Sequence, residues 1–304
     1  MPAPGTLRAG PARFNMPTVQ IGTIDIPERI DRERYFRELS YLELSALHAG
    51  PLKAAALARW KELAPPGTLG LVVPWVLTHR KPPRADRLWH HDQTVGDFRD
   101  SALGREALVL FRDAAVAVSA AHAIFPSPAL FAPSTLHREQ LRRFFGEVAT
   151  VEAVGATRVW IPDGLWEPRS AVRFATELGV TCAIDPLVYD PSQPAEVYED
   201  LETSALYFRI TGLGRSGPIR SEKLEDLAAL VEHYQGIDLT VAFASPARWQ
   251  DARNFKKLVG DLEGLGDEDQ DGAKDDDGDE DQDDDVDVGD EDQDGAKDDD
   301  ESDP

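Results

Sequence analysis

Eight short apolar runs of extended character recur along the chain, at 18–22, 41–44, 69–73, 122–125, 157–161, 180–184, 205–210 and 238–243. Each hands over to a stretch with a one-sided apolar stripe. Leu141, Phe144, Phe145 and Val148 fall at i, i+3, i+4 and i+7, as do Ala171, Phe174, Ala175 and Leu178. Leu224, Leu227, Ala228 and Val231 repeat the spacing, and so do Phe255, Leu258, Val259 and Leu262. Such stripes suit helices packed on a sheet. Start signals agree at Glu167-Pro168, at Ser245-Pro246 and at Ser221-Glu222. Residues 107–121 are apolar nearly all round, and their length favours helix over strand.

Strand and helix alternating through one region predict parallel strands joined by helical crossovers. Eight units in about 250 residues close a (β/α)8 barrel. The predicted fold class is therefore α/β, a TIM-like barrel over residues 18–265, with a flexible leader at 1–17 and a disordered acidic tail at 266–304. A barrel also limits where a site can lie, on the loops after the strands.

Charge divides the chain at the same place. Of the formal charge of -24, residues 266–304 hold 23 acidic residues against two lysines, a net of -21; residues 1–265 hold 33 acidic and 30 basic, a net of -3. A near-neutral body carries no electrostatic footprint for nucleic acid, and the tail repels phosphate backbones, so no nucleic-acid partner is expected. The tail reads GDEDQDGAKDDD at 266–277 and again, letter for letter, at 289–300. Its branched apolar residues are Val286 and Val288 alone, too few to offset the entropy of ordering. Asp290, Asp292, Asp294, Gly295 and Glu301 fall at calcium-loop spacing, but Lys297 stands where a hydrophobe anchors such a loop. The copy beginning at Asp267 carries Lys274 in that place and ends on Gly278. The expectation is weak divalent-cation association with the tail, no folded EF-hand, and no other cofactor.

Cys182 is the single cysteine, which excludes an intrachain disulfide and suggests a reducing, cytoplasmic setting. No apolar stretch approaches the roughly 20 residues of a membrane span, and residues 1–16 lack the apolar core of a secretory signal. A membrane is not an expected partner.

Set in order, the strand ends resemble one family. Gly22-Thr23, Glu43, Ala58-Arg59-Trp60, Pro65-Pro66-Gly67 and Thr78-His79 are similar to the Gly-Thr strand, glutamate strand, A-R-W helix, P-P-G turn and T-H strand end of the YecE-like barrels, domain of unknown function 72. Residues 125–131, Trp166, Asp185, Arg209 and Ser216-Gly217 continue the resemblance over most of residues 18–262. The chain departs where the family has Glu, Arg and His on strand five, here Trp160, Pro162 and Asp163. It departs again at Thr211, in place of the strand-seven histidine, and at Ala244 and Ser245, in place of paired asparagines. The resemblance implies the barrel fold, shared with metal-dependent phosphodiester nucleases and sugar isomerases, and no established activity. The lost polar groups point to a diverged member.

Two readings of the chemistry follow. In the first, the C-terminal face binds a small phosphate- or carboxylate-bearing ligand without catalysis. Arg209, Arg215, Ser216 and Gly217 bind it, with His79 beside them, since guanidinium forks suit oxyanions and loops after strands seven and eight of barrels often hold phosphate. Residues 212–217 spell G-x-G-x-x-G, but Pro218 separates the third glycine from the next helix, against a dinucleotide loop. In the second, Glu43, His79 and Asp185 act as acid, base and ligand contact in a hydrolase or lyase on a sugar or phosphodiester. Asp163 is expected near the same mouth. The bland counterpart is an interior ion pair of Arg209 with Glu43 or Asp185. Arginines around a mouth filled by Trp160 would mark binding; converging carboxylates and histidine would mark chemistry. The basic loop 79–91 holds His79, His90 and His91 but lacks the geometry of a metal site, and no metal is expected. The tail is expected to contact that loop or a basic partner. Cys182 and Trp60 read as core, whereas Trp75 and Trp89 are candidates to floor a pocket.

Overall fold

The computed structural model describes residues 19–28, 30–82, 89, 92–163, 165–188, 198–212 and 216–268, with side chains up to residue 260. Eight parallel strands close in chain order: β1 (Val19–Ile24), β2 (Tyr41–Leu44), β3 (Leu69–Val72), β4 (His122–Pro126), β5 (Thr157–Ile161), β6 (Thr181–Ile184), β7 (Ala205–Ile210) and β8 (Asp238–Phe243), which pairs back on β1. Around them lie α1 (Arg32–Glu38), α2 (Ala46–Ala49), α3 (Ala54–Leu63), α4 (Trp75–Thr78), α5 (Ala102–Ala117), α6 (Thr135–Arg143), α7 (Val151–Val154), α8 (Pro168–Glu177), α9 (Ser221–His233) and α10 (Arg248–Glu268). The fold is the TIM-like (β/α)8 barrel that the alternation predicts. Residues 1–264 make one compact unit and residues 265–304 another, of which only the end of α10 is described. No described helix is long and apolar enough to cross a membrane.

The strands are apolar on both faces, which is why they read as continuous runs. Tyr41, Val72, Ile124, Val159, Ala183, Tyr207 and Ala242, one from each of β2 to β8, form a cluster inside the ring. Their neighbours one residue along, among them Leu42, Leu71, Phe125, Trp160, Cys182, Phe208 and Val241, pack outward against the helices. Gly70 makes room for the interior tyrosine: a Cβ there would lie 1.9 Å from the Tyr41 hydroxyl.

The period of two corrects one expectation. Trp160 does not fill the mouth, because Val159 and Ile161 take the inward positions. It is fully buried on the outer side, donating its Nε1–H to Ser127 Oγ at 2.9 Å and meeting Trp166 edge to face at 4.8 Å.

The helical stripes fall on helices, with local differences. Leu141 to Val148 runs from α6 into a π-turn (Phe144–Val148), which turns Phe144, Phe145 and Val148 inward together. Glu167 caps α8 through the amides of Arg169 and Ser170, with Pro168 in the first turn as the sequence indicates. Ser221 opens α9 from inside, Arg220 being the N-cap. Ser245 does not cap α10, which begins at Arg248; its hydroxyl donates instead to the buried Asp251 carboxylate.

Candidate functional site

Two sets of polar side chains sit at the C-terminal ends of the strands. The first lies inside the barrel. On β2, Tyr41 and Glu43 share a face; on β7, Tyr207 and Arg209 do the same, two residues apart in each case. Between β2 and β7 stand β1 and β8, whose inward Gly22 and Ala242 are small and are register partners of one another. Across that gap the Tyr207 hydroxyl donates to Glu43 Oε2 at 2.7 Å. Arg209 donates from Nη2 to Oε1 at 3.1 Å and from Nε to both carboxylate oxygens at 3.3 Å. Glu43 is wholly buried, while Arg209 keeps 28% of its side chain exposed.

Burial and the Glu43 charge hold Tyr207 and Tyr41 well above the usual tyrosine range, so both stay protonated. Burial works against the Arg209 cation, but the Glu43 charge and hydrogen bonds outweigh it. Below this pair the polar line continues to the start of β4, where the Tyr41 hydroxyl lies 3.1 Å from His122 Nδ1.

Asp185, directly after β6, accepts from the Thr211 amide at 2.8 Å, the Thr211 hydroxyl at 2.6 Å and the Leu187 amide at 3.1 Å. It ties the ends of β6 and β7 together and adds negative charge beside Arg209. Ser216 and Gly217 are exposed, and Arg215 lies outside the described residues, as do His90 and His91 of the basic loop. Asp163 accepts from the Leu130 amide at 2.5 Å, bracing the loop after β4.

The second set surrounds His79. Pro74 ends the extended run after β3, and the chain coils into α4, so Thr78-His79 closes a short helix and is not a strand end as expected. His79 Nδ1 lies 2.8 Å from the Thr78 hydroxyl, and the His48 ring meets it edge to face at 5.2 Å. His48 Nδ1 is 2.7 Å from the Val73 carbonyl, which only accepts, so this nitrogen carries the proton. Burial, then the neighbouring His48, push His79 down to about 4, against the pull of Asp97. The turn below is left-handed at Gly96, Asp97 and Phe98, whose amides donate to the carbonyls of Val76, Thr78 and Leu77 at 2.8, 3.0 and 3.0 Å. Asp97 also pairs with Arg80 and, at 3.2 Å, with Arg99.

Of the sequence-derived candidates, Glu43 and Arg209 therefore meet, with Asp185 beside them. His79 belongs to a separate group with His48. Tyr207 and His48 were missed. Tyr207 could have been found by reading β7 at period two from Arg209; His48, on α2 directly after β2, offered only its position. Among the described residues, no three His, Cys, Asp or Glu side chains are grouped to hold a metal ion. Three cavities among the described residues are lined by none of Glu43, His79, Asp185 and Arg209.

No protein-family model matches the chain, and no curated protein does. Among solved structures it is similar to a DUF72 family protein from Enterococcus faecalis, at 12% identity and a TM-score of 0.59, covering 80% of this chain and 96% of that one. It is also similar to a DUF72 family protein from Thermotoga maritima, at 16% identity and a TM-score of 0.55, covering 80% and 99%. At these identities the likeness is one of fold.

Proposed function

We propose that the barrel binds a small phosphate- or carboxylate-bearing ligand at its C-terminal face, with Arg209 as the anchoring cation, and catalyses no reaction on it. The observation that carries this reading is the half-used guanidinium. Its Nε and Nη2 are tied to Glu43, while Nη1 has no protein acceptor among the described residues and part of the side chain is exposed. A guanidinium already fixed on one edge loses little further rotamer freedom when an oxyanion meets the other. Arg215, Ser216 and Gly217, following β7 in the chain, are proposed as the ligand's further contacts.

A hydrolase or lyase built on Glu43 would need a carboxylate free to move a proton. Both Glu43 oxygens are engaged and the group is fully buried. His79 has its nearest ring partner in His48 and stands apart from Glu43 and Asp185, so the three do not form one acid–base group. These points favour binding.

The test is calorimetric titration with phosphate and with malonate. Glu43→Gln removes a competing negative charge while its amide oxygen still accepts from the guanidinium, so it tightens binding. In that background Arg209→Met leaves no buried unpaired charge and weakens binding by about tenfold or more, the worth of a charge-assisted hydrogen bond. Equal affinity with and without Arg209 would refute the reading.

A further inference from the structure

Beside Arg209 the mouth holds a second carboxylate that its guanidinium does not neutralise. Ala183 and Tyr207 are register partners inside the ring. Two residues further on, the period of two brings Asp185 and Arg209 to the same rim, at the ends of neighbouring strands. They turn apart: Arg209 reaches Glu43, and Asp185 accepts from Thr211. Every hydrogen bond to Asp185 comes from a neutral donor, the Thr211 amide and hydroxyl or the Leu187 amide. Among the described residues it has no ion-pair partner. It is part-exposed, and Thr211 beside it is exposed.

This arrangement narrows what Arg209 can hold. Glu43 already takes one edge of the guanidinium, so the two carboxylates leave the rim with a net negative charge. A bare oxyanion on the free edge adds to that charge and faces Asp185. A ligand that brings its own cation removes the conflict. An ammonium has three donors and no acceptor, which suits a carboxylate served so far by neutral groups. Ile24 and Ile161, part-buried against the interior cluster, offer contacts to methylenes between the two charges.

We infer that the ligand is a zwitterion, a short ω-amino acid whose carboxylate meets the free edge of Arg209 and whose ammonium meets Asp185. The inference rests on Arg209 as the anchor and names what it anchors. Neighbouring strands lie about 4.8 Å apart, close to the separation of the two ends of 3-aminopropionate.

The probes are 3-aminopropionate and propionate, which differ only by the ammonium. Each is titrated into the full chain at neutral pH and fixed ionic strength, and followed by NMR at the Arg209 Nε–H and the Thr211 amide. Propionate is expected to move the first resonance; 3-aminopropionate is expected to move both and to bind about tenfold more tightly, the worth of a charge-assisted hydrogen bond. Asp185→Asn keeps an oxygen for the Thr211 donors and removes the charge. It should tighten propionate, weaken 3-aminopropionate and bring the two together, a crossing that loss of a purely structural tie would not produce. Equal affinities in the unaltered chain would overturn the inference and leave the anion reading standing, and a preference that survives Asp185→Asn would do the same. If neither probe moves the Arg209 resonance, both fall.

Discussion

Single side chains set how the fold responds to acid. Burial holds His122 down at about 4; burial and then His48 do the same for His79. An unfolded chain protonates histidine near 6.5, so between about 6.5 and 4 it binds more protons than the folded one. Stability therefore rises with pH across that window: the contribution is complete above about 6.5 and is lost as pH falls toward 4. Urea midpoints at fixed ionic strength should drop between pH 7 and pH 5, and the double variant His79→Asn, His122→Asn should flatten the drop. An unchanged slope would assign it to the carboxylates. At this scale the sequence was partly readable. Glu43 and Arg209 stood out because polar residues near the carboxyl end of a barrel strand are few. That they satisfy each other was undecidable, since the pairing depends on Gly22 and Ala242, two small residues on the strands between. His79 was placed on a strand end because Pro74 was not weighed as the end of the extended run.

Elements were the more legible level, for a physical reason. A strand buried on both faces needs an unbroken apolar run, and a helix packed on such a sheet needs a stripe, so both requirements leave marks in the chain. The π-turn after α6 left none, because its widened turn is set by what lies beneath it. Arg158 is that support. From the outer face of β5 it donates Nη1 to the carbonyls of Phe145 and Ala149 at 2.7 and 2.9 Å, and Nη2 to Gly179 at 2.9 Å. One buried guanidinium thus joins the π-turn to the end of α8. Arg158→Met keeps the apolar stem and strands three carbonyls, so it should cost at least about 2 kcal/mol in denaturant unfolding. A loss below about 0.5 kcal/mol would mean that water reaches those carbonyls unaided.

For the whole molecule the question is what a net charge of -21 on residues 266–304 does to a body of net -3 that is proposed to bind anions. A tethered acidic chain lowers the local concentration of anions through its field, which salt screens over a Debye length of about 8 Å at physiological ionic strength. A tail that instead occupies the part-exposed edge of Arg209 itself competes at short range and is less easily screened. We propose the second, direct competition. Removing residues 266–304 should then tighten phosphate binding at low salt and still do so, by a smaller factor, at about 0.5 M salt, where the Debye length is only a few ångströms. An advantage that vanishes at high salt would reduce the tail to a long-range field. Identical affinities at every salt concentration would remove the tail from ligand binding altogether.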